Sequence, residues 1–385
     1  MKKNVLVISQ VIPQWYVDLL SQALGENVHI DIMTGSEVKG SVIQSPKHDA
    51  RSFKSRLVCW WKHYCFAKQW AYRNREKKYD MIFAVSNPPI NSYIGLLLKK
   101  RFKAPFVYMN WDLYPQVIEE TIHNPVVKCI CNVWNRWNSR NYPRIDRILT
   151  IGSVMADSMQ RPLNQSVEIT VLPIAVDTDY LKPISKDENP FVMKYNLKDK
   201  FVILYSGKMG IGHNIELILE AAVKLQSIPQ IQFVFIGEGP KYLTVERFIE
   251  ENRCQNILLL PLQPNDVFPY SMACADVGIV TQESKMAHLF MPSKTYSMMA
   301  CGQAIIGVGT NKDDLYYLIQ ENKIGISITE QDSTILAEKI KCMFYEKKDL
   351  IKYQRNARTV AEEKFSLKVI KEKYRILFKE LMENA

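Results

Sequence analysis

Short apolar runs alternate with longer segments of helical period along the whole chain, and no other feature restricts the fold as much. An apolar run without alternation suits a strand buried on both faces, and a helix between successive runs is what a parallel connection requires. In the first half the runs are Asn4–Ser9, Val28–Met33, Met81–Val85, Phe106–Asn110 and Arg147–Ile151. In the second half they are Phe201–Ser206, Gln232–Gly237, Asn256–Leu260, Val277–Thr281 and Ala304–Val308. Each half is therefore expected to be an α/β unit wound around a doubly wound parallel sheet. Between them, Val171 to Asn189 carries Pro173, Pro183 and several acidic residues without periodicity, which reads as a connector. This places a boundary near residue 185 and divides the chain into 1–185, 186–366 and a final stretch 367–385. The final stretch holds a basic amphipathic helix, Leu367 to Met382, whose apolar side is read as Val369, Tyr374, Ile376, Leu377 and Leu381 and which fits either lobe.

The length of 385 residues agrees with two lobes, because a single core stops growing near ~250–300 residues. Two lobes imply a cleft, and clefts between domains hold ligands. Hydrophobic residues make up 47% and charged ones 23%, the balance of a soluble globular protein. Fifty Lys+Arg against forty Asp+Glu leave a net +10, which favours an anionic partner without naming it. The eight cysteines form no CxxC pair and have no zinc-type histidine spacing, so free buried thiols of a reducing compartment are expected. The opening MKKNVLVISQ has too short an apolar run for a signal peptide, and no stretch reaches the ~18–20 apolar residues of a membrane span. A cytoplasmic protein, attached at most to a membrane surface, is the expectation.

In open parallel sheets ligands bind at the carboxyl ends of the strands. The first such edge in the second half reads YSGKMGIGHNIELILEAA, with Gly207, Gly210 and Gly212 ahead of a helix starting near Asn214. Glycines let backbone approach a phosphate, a helix N-terminus offers free N–H groups, and Lys208 and His213 add charge and donors. A structural glycine turn explains the same residues. The second edge, FIGEGPKYL, brackets Glu238 between Gly237 and Gly239, and a tight turn accounts for these equally well. The third follows Val277–Thr281: QESKMAHLFMPSKTYSMMACGQAIIGVG, in which Pro292 suits a first helical turn and Gly302 its far end. That puts Ser293 and Lys294 at a helix start on the same edge as Lys208, a pairing suited to a diphosphate. The alternative for Lys294 is a solvated surface lysine.

Together SGKMGIGHN, IGEGP and PSKTYSMMACGQAII resemble the nucleotide-sugar-binding domain of family 4 GT-B glycosyltransferases. The likeness is to the bacterial branch that builds capsule, O-antigen and exopolysaccharide units. In the first half, YMNWDLYPQ resembles that branch's Asp-Leu-Trp-Pro motif, RIDRILTIGSVMADSM the close of its N-domain, and VLPIAVDTDYLKP its interdomain segment. The resemblance implies two Rossmann-like domains facing across a cleft, the first for acceptor and the second for donor. By this likeness Lys208 stands at the arginine that binds the donor diphosphate, His213 at the second basic position, and Lys294 is a further candidate for that role. Glu238 lies in the turn near the nucleotide, and Asp112 is the N-domain acid, with Trp111 where the wider family has histidine. The family's paired glutamates are replaced by Leu289 and Ser297, and Glu283 is the nearest carboxylate in that loop.

The resemblance implies a retaining, metal-independent hexosyl or N-acetylhexosaminyl transfer from a nucleotide sugar, UDP-linked, to a polyprenyl-diphosphate-linked saccharide. No cofactor is implied beyond the nucleotide sugar, which is the substrate. Lys208, Lys294 and His213 would stabilise charge on the departing diphosphate. Asp112 would orient the acceptor or support the positive charge developing on the sugar, and its alternative is a cap on the following helix. Between Lys47 and Lys78 the chain interleaves ten Lys/Arg with Phe53, Trp60, Trp61, Tyr64, Phe66, Trp70 and Tyr72. A second helix, Val126 to Arg140, lines up Val126, Val127, Ile130, Val133, Trp134 and Trp137. Such stripes serve either a core or an anionic membrane surface, and no nucleic-acid-binding module is recognisable. Two other functions remain open on sequence alone. One is a UDP-N-acetylglucosamine 2-epimerase-like enzyme using Asp112 and His213. The other is a non-catalytic membrane-bound assembly subunit, suggested by Leu289 and Ser297.

Overall fold

Two sheets, each parallel throughout, organise the chain. The structure is a computed structural model that describes residues 2–49, 51–163, 166–210, 213–283 and 285–383, with the backbone alone at Phe53.

The first sheet comprises β1 (Lys3–Ile8), β2 (Val28–Thr34), β3 (Ser41–Gln44), β4 (Met81–Val85), β5 (Phe106–Asn110), β6 (Arg147–Thr150) and β7 (Ile169–Val171). Their spatial order is β3-β2-β1-β4-β5-β6-β7. The central strands β4 and β5, MIFAV and FVYMN, are buried at every position, as a strand covered on both faces must be. Connecting helices are α1 (Gln14–Leu24), α2 (Phe53–Arg73), α3 (Asn91–Phe102), α4 (Gln116–Thr121), α5 (Pro125–Asn141) and α6 (Ser153–Gln160).

The second sheet comprises β8 (Phe201–Lys208), β9 (Ile231–Glu238), β10 (Ile257–Leu260), β11 (Val277–Thr281), β12 (Ala304–Val308) and β13 (Gly325–Ile328), ordered β10-β9-β8-β11-β12-β13. This is the doubly wound order in which the winding reverses between the first and fourth strands, here β8 and β11. Its helices are α7 (Pro190–Lys194), α8 (Ile215–Leu225), α9 (Tyr242–Asn252), α10 (Phe268–Met272), α11 (Lys294–Ala300), α12 (Asp314–Asn322), α13 (Ser333–Tyr345) and α14 (Lys347–Val360). A short π-helical stretch, Ala361–Phe365, leads into α15 (Leu367–Glu383).

The compact units are Met1–Pro173 with Ile370–Ala385, and Ile174–Val369. The division thus falls ahead of the position near 185 expected from the sequence. Hydrogen bonds explain the difference. Val176 donates its N–H to the Phe365 carbonyl at 2.9 Å and accepts from Leu367 N–H at 3.0 Å, while Arg358 donates to the carbonyls of Leu181 and Thr178. These fasten the proline-bearing connector onto the second unit.

The terminal helix is not a separate part. In α15 the buried residues are Ile370, Tyr374, Leu377 and Phe378, the i, i+4, i+7, i+8 stripe of one helical face. Phe83 of β4 meets the edges of Phe378 at 5.6 Å and Tyr374 at 6.3 Å. The Tyr374 hydroxyl hydrogen bonds to that of Tyr16 at 2.7 Å. At the rim Arg147 pairs with Glu380 at 3.1 Å. Ile376, assigned to the apolar side from the sequence, is 59% exposed instead. The cysteines are all free, but only Cys131, Cys254, Cys274 and Cys301 are buried, and Cys129 and Cys342 are exposed.

Because α15 fills the first unit's core, Phe378→Ala is expected to cost that unit ~3–5 kcal/mol. Tyr374→Phe, which strands the Tyr16 hydroxyl, should cost ~1 kcal/mol. Urea unfolding followed by aromatic circular dichroism measures both, and equal small losses would contradict the packing described.

Candidate functional site

The winding of the second sheet reverses between β8 and β11, and the carboxyl ends of these strands are the place where such sheets bind ligands. β8 ends on Gly207 and Lys208. Gly207 adopts φ +124°, open to glycine but strained for other residues. A Cβ there would stand 3.6 Å from the Nζ of Lys294. That lysine begins α11, and its ammonium lies 3.9 Å from the centre of the buried Tyr205 ring. Its Nζ is sealed from solvent and has no hydrogen-bond partner among the described residues. Burial pushes its pKa down from 10.5 to about 8. The ring face offsets part of the lost hydration. Among the described residues no carboxylate pairs with it, so Lys294 is a buried, unpaired ammonium rather than the solvated surface lysine of the alternative reading.

His213 lies just ahead of Asn214, whose side chain caps α8 by accepting from Leu217 N–H at 3.3 Å. Its Nδ1 is buried without a partner among the described residues. Burial first, and the Lys294 charge second, push its pKa to about 4. At neutral pH it is therefore an uncharged imidazole, not the second cation expected. The loop that carries it is held by Lys241, whose Nζ donates to the His213 carbonyl and to Glu216, each at 2.8 Å. Gly210 packs on the imidazole, where a Cβ would come within 3.2 Å of Cδ2. Gly212 lies outside the described residues.

Gly237 and Gly239 serve backbone packing. A Cβ on Gly237 would sit 2.0 Å from the Gly207 carbonyl oxygen, and one on Gly239 2.6 Å from that of Met209. The tips of β8 and β9 press together here, with Met209 N–H donating to the Glu238 carbonyl at 2.7 Å. Glu238 is in register with Lys208, and both are exposed at the rim.

Ser293 is the exposed N-cap residue of α11 and makes no side-chain cap bond, while half-buried Ser297 lies one turn beyond Lys294. Glu283 is exposed two positions past β11, and Leu289 is fully buried in the core. Leu289 thus offers nothing to a ligand. Sequence reasoning missed Thr281, Gln282, Thr295 and Thr310, whose side-chain oxygens are buried without partners among the described residues. Single polar residues at or just past a strand end, as Thr281, Gln282 and Thr310 are, carry no motif, and neither does Thr295 inside α11.

Asp112 belongs to the first unit, two residues past β5. It is half-buried, and dehydration raises its pKa from 3.8 to about 6. It does not cap the next helix: α4 starts behind Pro115 with no side-chain cap bond. The preceding Trp111 is fixed by its N–H donating to Ser86 Oγ at 2.9 Å and by the edge of Tyr16 at 5.1 Å. Among the described residues no three His, Cys, Asp or Glu side chains are grouped to hold a metal.

Comparison with known proteins gives this arrangement a family context. Residues 187–360 match the family described as glycosyl transferases group 1. The chain is 26% identical over 270 residues to the probable glycosyltransferase WbjE of Pseudomonas aeruginosa, covering 69% of this chain and 66% of that protein. It is 32% identical over 104 residues to WcaI of Escherichia coli (strain K12), whose name ties it to colanic acid biosynthesis as a glycosyl transferase. There the alignment covers 27% of this chain and 25% of the relative. The chain thus spans just under two thirds of WbjE and a quarter of WcaI. Among solved structures, Anabaena HepE in complex with UDP and glucose superimposes with a TM-score of 0.74 over 98% of this chain and 100% of its own. At 13% identity that likeness is one of fold, two Rossmann-like units of the kind found in GT-B glycosyltransferases.

A buried lysine with a lowered pKa destabilises the fold wherever it must carry charge. The unfolded chain holds the proton to 10.5 and the folded chain only to about 8, so stability rises with pH between those values. Lys294→Met, which keeps the stem, is expected to raise stability at pH 7 by ~1–3 kcal/mol and to flatten that rise. Unfolding midpoints from pH 7 to 10 test this, and an unchanged or lower midpoint at pH 7 would contradict the unpaired ammonium.

Proposed function

Since residues 187–360 match the family of glycosyl transferases group 1, we propose that this protein transfers a sugar from a nucleotide sugar, UDP-linked, to a lipid-linked saccharide in cell-surface polysaccharide synthesis. The observation that carries the proposal is the unpartnered Lys294 ammonium at the switch point of that domain's sheet. UDP in the HepE complex and colanic acid in the name of WcaI support the donor and the polysaccharide reading respectively.

Breaking a glycosidic bond to a nucleoside diphosphate moves negative charge onto the leaving group. A fixed cation that water does not screen stabilises that charge more in the transition state than in the ground state. Lys294 fills this role from beside Gly207, and Lys208 reaches the same anion from the rim. The buried hydroxyls of Thr281 and Thr295, without partners among the described residues, would donate to it as well. His213, uncharged, offers a hydrogen bond rather than a charge. In this reading the chain itself supplies the charge that accompanies departure of the diphosphate, and the transfer is metal-independent. The sugar keeps its anomeric configuration, the acceptor attacking from the face the diphosphate leaves. Asp112 then orients the acceptor.

A membrane-borne acceptor agrees with the surface of the first unit. Leu57, Val58 and Trp61 of α2 and Val126, Ile130, Val133 and Trp137 of α5 are exposed. The core reading of these stripes applies to Trp60, Val127 and Trp134, which gather with Ile118 and Cys131. Among the described residues no helix is long and apolar enough to cross a membrane.

Purified protein incubated with UDP-, GDP- and TDP-sugars should slowly hydrolyse one donor. Interconversion of sugars would indicate an epimerase, and binding without turnover an assembly subunit. Lys294→Ala and Lys208→Ala should each lower turnover at least tenfold, ~1.4 kcal/mol, and full activity in both would remove the phosphate site. Binding an anion restores the Lys294 proton, so UDP affinity should be flat below pH 8 and fall by up to tenfold per unit above it. Calorimetry in buffers of different ionisation heat reads the accompanying proton uptake, which Lys294→Met should abolish.

A further inference from the structure

The first unit holds a basic groove that the sugar-transfer chemistry does not use. It lies as an open depression of about 920 Å³ between the carboxyl-terminal halves of α2 and α3, lined by Lys68, Tyr72, Arg73, Leu97, Lys100 and Arg101. No carboxylate lines it. None of the four cations forms an ion pair among the described residues, whereas neighbouring Lys99 is bound to Asp146 at 2.7 Å. Arg75 adds a fifth charge beside it, stacked on the Tyr72 ring at 5.4 Å. The negative carboxyl ends of two helices favour basic residues nearby. That preference explains their number but not a depression lined by them and free of acid.

The groove continues an apolar surface. Trp61, Cys65, Lys68 and Tyr72 follow one another along a single face of α2. Trp61 is 63% and Tyr72 70% exposed, and Leu57 and Val58 extend the face one turn further. Trp61 and Lys68 are therefore about 10 Å apart along the helix axis. A nucleic acid would match the cations and could stack a base on the indole, but would gain nothing from covering leucine and valine. A bilayer surface matches both, its phosphates meeting the cations and its acyl boundary taking the apolar turn.

We propose that the groove between α2 and α3 is a binding site for the phosphate headgroup of an anionic phospholipid, occupied when the adjoining turn of α2 inserts Trp61 at the bilayer interface. The proposal rests on the membrane reading above and names the part of the surface that would recognise lipid. Bound there, a phospholipid would fix α2 along the membrane plane.

The test is sedimentation with vesicles of phosphatidylcholine alone or containing about one third phosphatidylglycerol, without donor or acceptor, so its result is independent of sugar transfer. The full chain is expected to bind the anionic vesicles at least tenfold better. Combined Lys68→Gln, Lys100→Gln and Arg101→Gln should weaken that binding by about a hundredfold, roughly fivefold per cation. Lys339→Gln with Lys341→Gln, the same kind of charge loss on the exposed face of α13, should leave it unchanged. Brominated lipid should quench tryptophan emission in the wild type and much less in Trp61→Phe. Each variant is checked for an unchanged urea midpoint before use. Equal loss from the α13 pair would reduce the groove to general charge attraction and overturn the proposal. So would release of bound protein by millimolar inorganic phosphate, which marks a free-anion site, or a groove-dependent shift of a labelled oligonucleotide, which marks nucleic acid.

Discussion

A strand paired in parallel on both sides must be covered on both faces, and the covering helices can be supplied only by the connections between strands. That constraint governs both units here. It makes β4, β5 and β11 fully buried, and it sends every strand of a sheet toward the same edge. Where the winding reverses, between β8 and β11, connections depart to opposite faces, the arrangement that in such sheets leaves the strand ends to ligands. The ends of β8 and β11 are therefore free for chemistry because of topology, before any side chain is considered.

At those strand ends the chain places a charge it does not neutralise. Lys294 sits over Tyr205 and against the bare backbone of Gly207, with its Nζ sealed from water. Folding tolerates this because an isolated ammonium can shed its proton more easily and because one aromatic face remains in contact. The hydroxyls of Thr281, Thr295 and Thr310 in the same unit are likewise buried without partners among the described residues. A buried cation left unpaired is what the proposed anion site requires.

Much of the fold was legible because buried parallel strands announce themselves as apolar runs. The runs Met81–Val85, Phe106–Asn110, Val277–Thr281 and Ala304–Val308 are strands with those ends. What escaped were the short edge strands β3, β7 and β13, of three or four residues and mostly only half-buried, where periodicity has too few positions to register. The face of α15 was misjudged at Ile376 because hydropathy alone does not fix helical phase when the partner surface is unknown. At the site, the Pro-Ser-Lys run located Lys294, yet sequence cannot weigh dehydration. His213 consequently looked like a cation and is held neutral. The division between units was displaced for a related reason: the prolines of the connector are visible, while the Arg358 guanidinium that pins it comes from far along the chain.

The first unit is discontinuous in sequence, since its core is completed by residues of α15 that follow the whole second unit. During synthesis its sheet strands emerge first, but Phe83 lacks its aromatic partners, and the Tyr16 hydroxyl its hydrogen-bond partner, until Tyr374 and Phe378 leave the ribosome. An apolar surface on β4 therefore stays open for the time needed to translate an entire domain, at ~5–20 residues per second. The second unit, contiguous from Ile174 to Val369, has no such wait. The order of maturation is thus the reverse of the order of emergence, with the second unit able to close before the first.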